Sequence, residues 1–330
     1  MKSEPILKIK DLKKYFSMGK EGIFSGKARM VKAVDGIDFS LYKGQTFGLV
    51  GESGCGKTTT GRCILKLYGI TDGEILFQGK NIQSFDGKER MQYRRDVQAV
   101  FQDPYGSLNP RMRIGEFIEE PMLVHGTFNS RERKKRVAKL LGVVGLSSDH
   151  ASRYPHEFSG GQRQRVCIAR ALSLNPKLVI LDEPVSALDV SIRAQVLNLL
   201  MDLQEEFGLT YLFISHDLSV VEHISDFVAV MYLAKIVEMA PCEMIFKTPL
   251  HPYTKALLSA IPVPDPELAQ DAIILEGDIS DPRGLEKGCR FQNRCFDATD
   301  ECMEKEPELI EVEPNHKVAC LKVAQGRKAA

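Results

Sequence analysis

The fold of this chain is decided by one stretch, which reads Thr46-Phe47-Gly48-Leu49-Val50-Gly51-Glu52-Ser53-Gly54-Cys55-Gly56-Lys57-Thr58. Its first five residues form a short apolar run, which predicts a buried β-strand. A glycine-rich segment ends this run, and the residues from Lys57 onward show a helical pattern. A strand, a glycine-rich turn and a helix in this order direct backbone N–H groups and the positive end of the helix to one point. The stretch therefore predicts an anion site.

Residues 51–58 fit the P-loop pattern, which binds the phosphates of a nucleotide. In this pattern the Lys57 ammonium reaches the outer phosphates, and the Thr58 hydroxyl can ligate Mg²⁺. Because the loop follows an apolar strand and opens a helix, we interpret it as a P-loop rather than a chance glycine-rich loop. We predict ATP and Mg²⁺ as its ligands. The residues predicted to bind the nucleotide here are Gly51, Ser53, Gly54, Cys55, Gly56, Lys57, Thr58 and Thr59.

An acidic pair follows a second apolar run. Residues 178–181 predict a buried strand that ends in Asp182 and Glu183. An aspartate at such a strand end can hold Mg²⁺ opposite the P-loop threonine, so Asp182 is a predicted metal ligand. Glu183 is placed to polarise a water against the γ-phosphate and is the predicted catalytic base. The alternative, a plain turn before Pro184, is less favoured once the pair is considered together with the P-loop.

Strand and helix patterns alternate along the chain, which points to an α/β fold with a mainly parallel sheet. Strands are expected at residues 7–16, 34–41, 46–50, 74–78, 97–102, 177–181, 210–215, 227–232 and 235–239. The pattern is mainly helical between 111 and 172, and again over 190–207. Five prolines interrupt the chain after about Thr248, so we predict a main domain over 1–248 and an accessory region over 249–330.

The composition narrows the class of function. Lys+Arg and Asp+Glu are equal at 44 residues each, whereas nucleic-acid binders usually carry a basic excess. The basic run Arg131–Arg136 favours the solvated face of a helix. No apolar stretch approaches the roughly 18–20 residues that span a bilayer, and residues 1–10 do not resemble a signal peptide. We therefore expect a cytosolic protein without a nucleic-acid partner, which at a membrane would dock onto other chains.

The segment Phe158–Arg165 reads Phe-Ser-Gly-Gly-Gln-Arg-Gln-Arg and resembles the signature motif of ATP-binding cassette (ABC) ATPases. Ser159 and the two glycines after it expose backbone N–H groups at a helix start, which makes a second anion site. In this family two domains sandwich ATP between the P-loop of one and the signature of the other. The resemblance implies a P-loop core with a mainly parallel sheet, an antiparallel β subdomain and a helical subdomain over about 103–172. The signature residues implied to bind the partner's nucleotide are Ser159, Gly160, Gly161 and Gln162.

Other segments resemble the remaining elements of this family, in the right order. Gln102, before Asp-Pro, is similar to the Q-loop, which senses Mg²⁺ and water and touches the membrane partner. Residues 186–189 look like the D-loop, which implies that Asp189 acts at the other subunit's nucleotide. His216 matches the switch histidine at the γ-phosphate, and with Gln102 it completes the implied catalytic set. Tyr15 is similar to the aromatic residue that stacks on adenine, although the adjacent Phe16 is an alternative.

Three stretches narrow the resemblance to the oligopeptide/dipeptide permease group, namely Phe101–Pro110, Ala187–Ser191 and His251–Ala260. A fourth, Tyr211–Ser219, is most similar to the second, F-type ATPase subunit of these importers. The resemblance implies an ATPase that powers import of di- or oligopeptides from the cytoplasmic face of the plasma membrane. It also implies a second, different ABC ATPase, two transmembrane permease subunits and, indirectly, an extracytoplasmic peptide-binding protein. Importers of nickel or glutathione, and a soluble ABC ATPase without a transport role, are the alternatives.

Four cysteines lie in the accessory region, at Cys289, Cys295, Cys302 and Cys320. Four thiolates could ligate a [4Fe–4S] cluster or a zinc ion, but the spacing matches neither zinc Cys-x2-Cys pairs nor a ferredoxin run. Similar cysteines in the permease group imply the iron–sulfur cluster, with zinc or unligated thiols as alternatives. We expect any metal here to be a structural staple for a short, proline-rich region.

Overall fold

The computed structural model describes residues 4–17, 30–261, 272–275 and 287–328. A polar, glycine-containing stretch over 17–29 is predicted by its composition to be a loop, and its residues 18–29 lie outside these ranges, as do the last three of the five late prolines. The chain divides into two compact units that alternate along the sequence. The first unit consists of Met1–Ile6, Tyr42–Gln45 and Lys80–Ile214. The second unit consists of Leu7–Leu41, Thr46–Gly79 and Ser215–Ala330.

The described residues form strands and helices in the following order. The strands are β1 (Leu7–Ser17), β2 (Met30–Leu41), β3 (Thr46–Val50), β4 (Asp72–Phe77), β5 (Lys80–Asn81), β6 (Val97–Val100), β7 (Leu178–Asp182), β8 (Thr210–Ser215), β9 (Phe227–Tyr232), β10 (Lys235–Pro241), β11 (Ile310–Glu313) and β12 (His316–Val318). The helices are α1 (Lys57–Ile64), α2 (Gly87–Asp96), α3 (Pro104–Ser107), α4 (Ile114–Val124), α5 (Ser130–Val143), α6 (Gly160–Ala171), α7 (Val190–Phe207), α8 (Leu218–Ile224), α9 (Cys242–Lys247), α10 (Pro252–Ser259), α11 (Asp300–Glu304) and α12 (Leu321–Lys328).

Three parallel strands in the order β8-β7-β6 run through the first unit. Every residue of β7 and β8 is buried, as a parallel strand covered on both faces requires. That burial explains why both strands are readable in the sequence as continuous apolar runs. The strand predicted over 97–102 ends at Val100, two residues early, because Phe101 and Gln102 turn out to solvent.

Helix α5 carries the basic run Arg131–Arg136, which is only partly the solvated face that the sequence predicts. Arg133 and Arg136 turn inward, whereas the other members of the run are exposed. Arg133 Nε pairs with Glu119 Oε1 at 2.6 Å, and Arg136 Nε donates to the carbonyl of Ser173 at 2.7 Å. These two arginines therefore fasten α5 to its neighbours within the first unit.

The second unit combines parallel and antiparallel pairing. β3 pairs in parallel with β9, with Phe47 opposite Phe227, and from β9 outward the order β9-β10-β12-β11 is antiparallel. β2, β1 and β4 form a separate antiparallel sheet. The predicted α/β fold, with a parallel core, an antiparallel β part and a helical part, is confirmed. The division into a main domain over 1–248 and an accessory region over 249–330 stays a prediction.

Strands β11 and β12 add the C-terminal region to the edge of the second unit's sheet, which sequence analysis did not predict. β12 pairs with β10, with Glu238 opposite Val318. The Glu238 side chain is fully buried, and its carboxylate accepts the N–H groups of Leu250 at 2.7 Å and His251 at 3.0 Å. His316 Nε2 supplies a third bond at 2.7 Å. Because a buried carboxylate is tolerated only when its oxygens are bonded, these contacts fix the start of α10 and β12 at one point.

Candidate active site

The P-loop follows β3 directly, and its glycines are required by its backbone path. Gly51 has φ 146°, and a Cβ there would lie 2.1 Å from the carbonyl oxygen of Met231. Gly56, the N-cap of α1, has φ 113°, and a Cβ there would lie 2.2 Å from the carbonyl oxygen of Ala33. Both positions therefore exclude any side chain, which is the structural reason for the glycine spacing of the motif.

Lys57 begins α1 and is only 4 % exposed. Its Nζ donates to the carbonyl oxygens of Gly51 at 2.6 Å and Glu52 at 2.9 Å. Ser53 and Gly54, at the tip of the loop, are exposed. The loop thus holds a cation against its own backbone, where a polyphosphate needs one.

Cys55, Thr58 and Thr59 complete the predicted P-loop residues. Burial raises the pKa of the Cys55 thiol more than the nearby Lys57 ammonium lowers it, so the thiol stays protonated and unreactive at neutral pH. Thr58 and Thr59 are half-buried in the first turn of α1. Thr58 is therefore at the position that the pattern assigns to a Mg²⁺ ligand.

Tyr15 lies near the end of β1, and its hydroxyl donates to the carboxylate of Asp35. Burial, followed by this hydrogen bond, raises the pKa of Tyr15 to about 12, so the phenol stays protonated. Phe16 instead packs edge-on against Tyr68, with ring centroids 5.4 Å apart. Neighbouring residues of a strand point to opposite faces, so only one of the two aromatics can serve a nucleotide. The engagement of Phe16 by Tyr68 favours Tyr15.

Gln102 and Glu183 are brought together within the first unit. Gln102 Nε2 donates to Glu183 Oε2 at 2.8 Å. Glu183 has φ 51°, a left-handed conformation that is strained for a residue with a side chain. Its N–H donates to the carbonyl of Ile214 at 2.9 Å, and its own carbonyl accepts the Ser186 hydroxyl at 3.1 Å. The position of this carboxylate is therefore fixed from both its backbone and its side chain. Asp182, one residue earlier, is 6 % exposed.

The signature segment forms a capped helix start. The Ser159 hydroxyl accepts the Gln162 N–H at 3.3 Å, and Gln162 Oε1 accepts the Ser159 N–H at 3.1 Å, which is a capping box. Ser159 and Gly160 are exposed, so the positive end of α6 lies at the surface, and its binding of an anion stays a prediction. Gly161 is buried, and a Cβ there would lie 2.4 Å from Ile192 Cγ2 in α7.

The predicted residues are distributed over both units. Asp189 is the exposed N-cap of α7, and His216 is exposed directly after β8. The P-loop, Tyr15 and His216 belong to the second unit. The members that belong to the first unit are Gln102, Asp182, Glu183, the signature residues 159–162 and Asp189. Their roles toward a nucleotide stay predictions.

The four late cysteines do not support the predicted [4Fe–4S] cluster or its zinc alternative. In the described part of the chain, no group of three or more His, Cys, Asp or Glu side chains lies together as metal ligands would. The backbone does bring two of them near, since the Cys289 N–H donates to the carbonyl of Cys302 at 2.7 Å. Polar side chains hold this region, among them the buried pair of Glu238 and His316.

Sequence analysis missed the partners of Glu52, the second residue of the P-loop. Arg294 and Tyr253, both from beyond residue 248, bond to it. Tyr253 lies in the stretch 251–260 that carries the family resemblance, but only the fold shows that its hydroxyl reaches the loop. Arg294 stands beside Cys295, where the cysteine spacing is the more conspicuous pattern.

Among the described residues, no helix is both long and apolar enough to cross a membrane.

The chain is similar to known proteins over nearly all its length. A family model described as "ABC transporter" matches residues 34–186, and one described as "Oligopeptide/dipeptide transporter, C-terminal region" matches 237–302. The oligopeptide transport ATP-binding protein AppF of Bacillus subtilis is 54 % identical over 320 residues, which cover 96 % of this chain and 97 % of that protein. The dipeptide transport ATP-binding protein DppF of Escherichia coli is 48 % identical over 322 residues, which cover 98 % of this chain and 96 % of that protein.

Solved structures give the same result for the fold. The dimeric structure of the ATP-binding cassette MJ0796, in a post-hydrolysis state with ADP and Pi, superposes with a TM-score of 0.63 and 29 % identity. The superposition covers 72 % of this chain and 98 % of that chain.

Proposed function

The chain belongs to the ATP-binding subunits of the oligopeptide/dipeptide ABC transporters, and we propose that it hydrolyses ATP to energise a membrane importer of di- or oligopeptides. Relatives named for oligopeptide and for dipeptide transport match it almost throughout, and the C-terminal family model matches residues 237–302. The narrower F-type assignment is not supported by the family models, which describe the group as a whole, and stays a prediction.

Glu183 carries the chemical part of the proposal. Its carboxylate is held by Gln102 at 2.8 Å, and its left-handed backbone is held by Ile214 and Ser186. Strain that is maintained by several partners is typical of functional positions. We propose that this fixed carboxylate acts as the general base for the attacking water. Gln102 orients the carboxylate, and His216 contacts the γ-phosphate.

The remaining residues are proposed to bind the nucleotide and its Mg²⁺. Lys57 neutralises the outer phosphates, while Thr58, Gln102 and Asp182 offer oxygen atoms, the donors that Mg²⁺ prefers. When bound, Mg²⁺ would neutralise the charge that develops on the phosphate oxygens. Tyr15 is proposed to stack on adenine, and residues 159–162 and Asp189 to act on ATP held by the partner subunit.

Replacing Glu183 by glutamine tests this proposal, because the change keeps the shape and removes the base. With both active sites of the assembled dimer changed, Glu183→Gln should slow phosphate release by about 100- to 1,000-fold while ATP binding persists. Near-normal turnover of that dimer would contradict the role. Glu206→Gln, on the exposed face of α7, is the matched control and should hydrolyse ATP normally.

Lys57→Ala should instead lose nucleotide binding, as a nucleotide titration would measure.

The surface formed by the residues around Gln102 is proposed to contact the permease. Phe101 and Tyr105 are exposed, Tyr105 at 66 %. The guanidinium of Arg163 lies 4.0 Å from the centroid of the Tyr105 ring. Arg163 belongs to α6, the helix that begins at the signature, so a shift of Tyr105 would be passed to the signature through one cation–π contact. This contact supports coupling between transport and the ATP sandwich.

The assembly and the cargo are proposed from family membership. We propose a heterodimer with a second ABC ATPase beneath two transmembrane permease subunits, at the cytoplasmic face of the membrane. The extracytoplasmic binding protein would select the cargo, since the ATPase itself does not touch it. Nickel and glutathione stay as alternative cargoes. The site residues of this chain are proposed to bind nucleotide whether the importer carries peptides, nickel or glutathione, so they do not distinguish these cargoes.

A further inference from the structure

The C-terminal region holds the P-loop at one residue, Glu52. Arg294 donates to its carboxylate twice, from Nη1 to Oε2 at 2.8 Å and from Nη2 to Oε1 at 3.1 Å. The Tyr253 hydroxyl accepts the Glu52 N–H at 3.0 Å. The Glu52 carbonyl, in turn, accepts from Lys57 Nζ at 2.9 Å. A single residue thus connects the C-terminal region to the lysine proposed to bind phosphate.

The pair of Arg294 and Glu52 differs from an ordinary surface ion pair. Their side chains are 9 % and 23 % exposed, and the guanidinium bonds both carboxylate oxygens. The bond to Glu52 raises the pKa of Arg294 more than burial lowers it, so the guanidinium stays charged. Bidentate, sheltered pairs of this kind fix geometry, whereas exposed pairs contribute little.

Aromatic packing holds the segment that carries Arg294. Phe291, three residues earlier, is 1 % exposed and packs against Tyr232, Tyr253 and His251, with ring centroids 5.1, 5.4 and 5.7 Å away. Aromatic packing of this density leaves little freedom to the short turn that follows. The guanidinium is therefore held in place before any nucleotide arrives.

Arg290, the residue before Phe291, connects the C-terminal region to the residue predicted to stack on adenine. Arg290 pairs with the carboxylate of Asp35 and donates to the carbonyl of Leu233. Asp35 also accepts the Tyr15 hydroxyl. Residues 290–294 thus contact the phosphate loop directly and Tyr15 through one carboxylate.

We infer that Arg294 and Tyr253 are positioning residues that hold the P-loop, through Glu52, in the shape that accepts a nucleotide. The inference rests on the nucleotide site proposed above. Two effects act in the same direction. The tether reduces the freedom of the loop before binding, and the guanidinium neutralises a carboxylate that would otherwise repel phosphates.

Nucleotide titration of the full-length chain tests the inference, with Mg²⁺ and a non-hydrolysable ATP analogue as the probe. Arg294→Ala should raise the dissociation constant about 5- to 30-fold, because a charge-assisted bond is lost and Glu52 is left unpaired. Tyr253→Phe removes only a hydroxyl, keeps the core packed, and should raise the dissociation constant about two- to fivefold. If Arg294→Ala does not fold, Tyr253→Phe decides the outcome.

Two readouts separate positioning from a purely structural role. The defect of Arg294→Ala should shrink at high salt, because part of it is repulsion by Glu52. Combining it with Glu52→Gln should recover part of the affinity. A structural role would lower the melting temperature of Arg294→Ala without either effect, and that result would overturn the inference. Lys322→Ala is the matched control, since it breaks the exposed pair with Asp297 in the same region and should bind normally.

Lys57→Ala distinguishes failure of the inference from failure of the site. If Lys57→Ala loses the analogue while Arg294→Ala and Tyr253→Phe bind it as tightly as the unchanged chain, the inference is wrong and the site stands. If Lys57→Ala also binds normally, the proposed site is wrong and the inference falls with it.

Discussion

Single residues show that glycine is required for two different reasons in this site. Gly51 and Gly56 have positive φ and face backbone carbonyls within 2.2 Å of where a Cβ would lie. Their positive φ belongs to the loop itself, whereas the carbonyls that exclude a Cβ belong to Met231 and Ala33, outside the loop. Gly161, by contrast, is helical, and its lack of a side chain is required only by Ile192 of another helix. The positive φ of Gly51 and Gly56 is local in sequence, whereas the requirement at Gly161 exists only after α6 and α7 pack.

Gly161→Ala should lower the free energy of unfolding by about 1–3 kcal/mol, as overpacking does. Ile192 branches at Cβ, so its Cγ2 cannot yield without leaving a preferred rotamer. Gly160→Ala is the matched control, because its Cβ would meet Leu188 Cδ2 at an ordinary 3.7 Å. That change should be neutral or stabilise by up to about 1 kcal/mol through helix propensity. Denaturant unfolding compares the two, and equal losses would refute the packing argument.

Among the elements, helix α10 shows how polar contacts attach the C-terminal region. His251 is its N-cap, and His251 Nδ1 accepts the Tyr253 N–H at 3.0 Å. The backbone N–H of His251 donates to the Glu238 carboxylate, which also binds His316 of β12. The helix that presents Tyr253 to the P-loop therefore depends on a buried, neutral imidazole.

The stability of the chain should fall as the pH drops from about 6.5 to 4. Burial lowers the pKa of His251 to about 4, although the nearby Glu238 carboxylate acts in the opposite direction. Between the two values the unfolded chain binds a proton that the folded chain does not, so stability is complete above pH 6.5 and is lost toward pH 4. The loss from this residue alone is about 3 kcal/mol.

His251→Asn keeps an acceptor at the N-cap but does not titrate, so it should flatten the dependence of unfolding on pH in that range. Denaturant unfolding at several pH values measures the slope, with His156→Asn on an exposed turn as the control. An unchanged slope in His251→Asn would contradict the assignment.

At the scale of the whole molecule, the second unit joins two segments near the start of the chain to a third that begins at Ser215. Arg294 reaches Glu52 across 242 positions of sequence, and Arg290 reaches Asp35 across 255. The C-terminal region is therefore part of the unit that contains the P-loop. The inferred positioning of the P-loop by Arg294 and Tyr253 would make nucleotide binding depend on this region.

Affinity purification of the chain from detergent-solubilised native membranes should recover a second ABC ATPase and two multi-spanning proteins, identified by mass. The expectation rests on the proposed importer, in which this chain contributes half of each ATP sandwich. Ribosomal or DNA-bound partners without any membrane protein would contradict transport and leave the ATPase assignment intact.

The fold class, the P-loop, the acidic end of β7 and the family could be predicted from the sequence alone, because each depends on residues that are neighbours in the chain. Apolar runs made β3, β7 and β8 readable, and the glycine spacing of residues 51–58 encoded its own backbone path. Three features required the folded chain: Glu183 adopts a strained backbone beside Gln102, no group of three or more metal-ligand side chains forms among the described residues, and Arg294 and Tyr253 bond Glu52. Those features depend on distances between segments up to 242 residues apart, which no local pattern specifies.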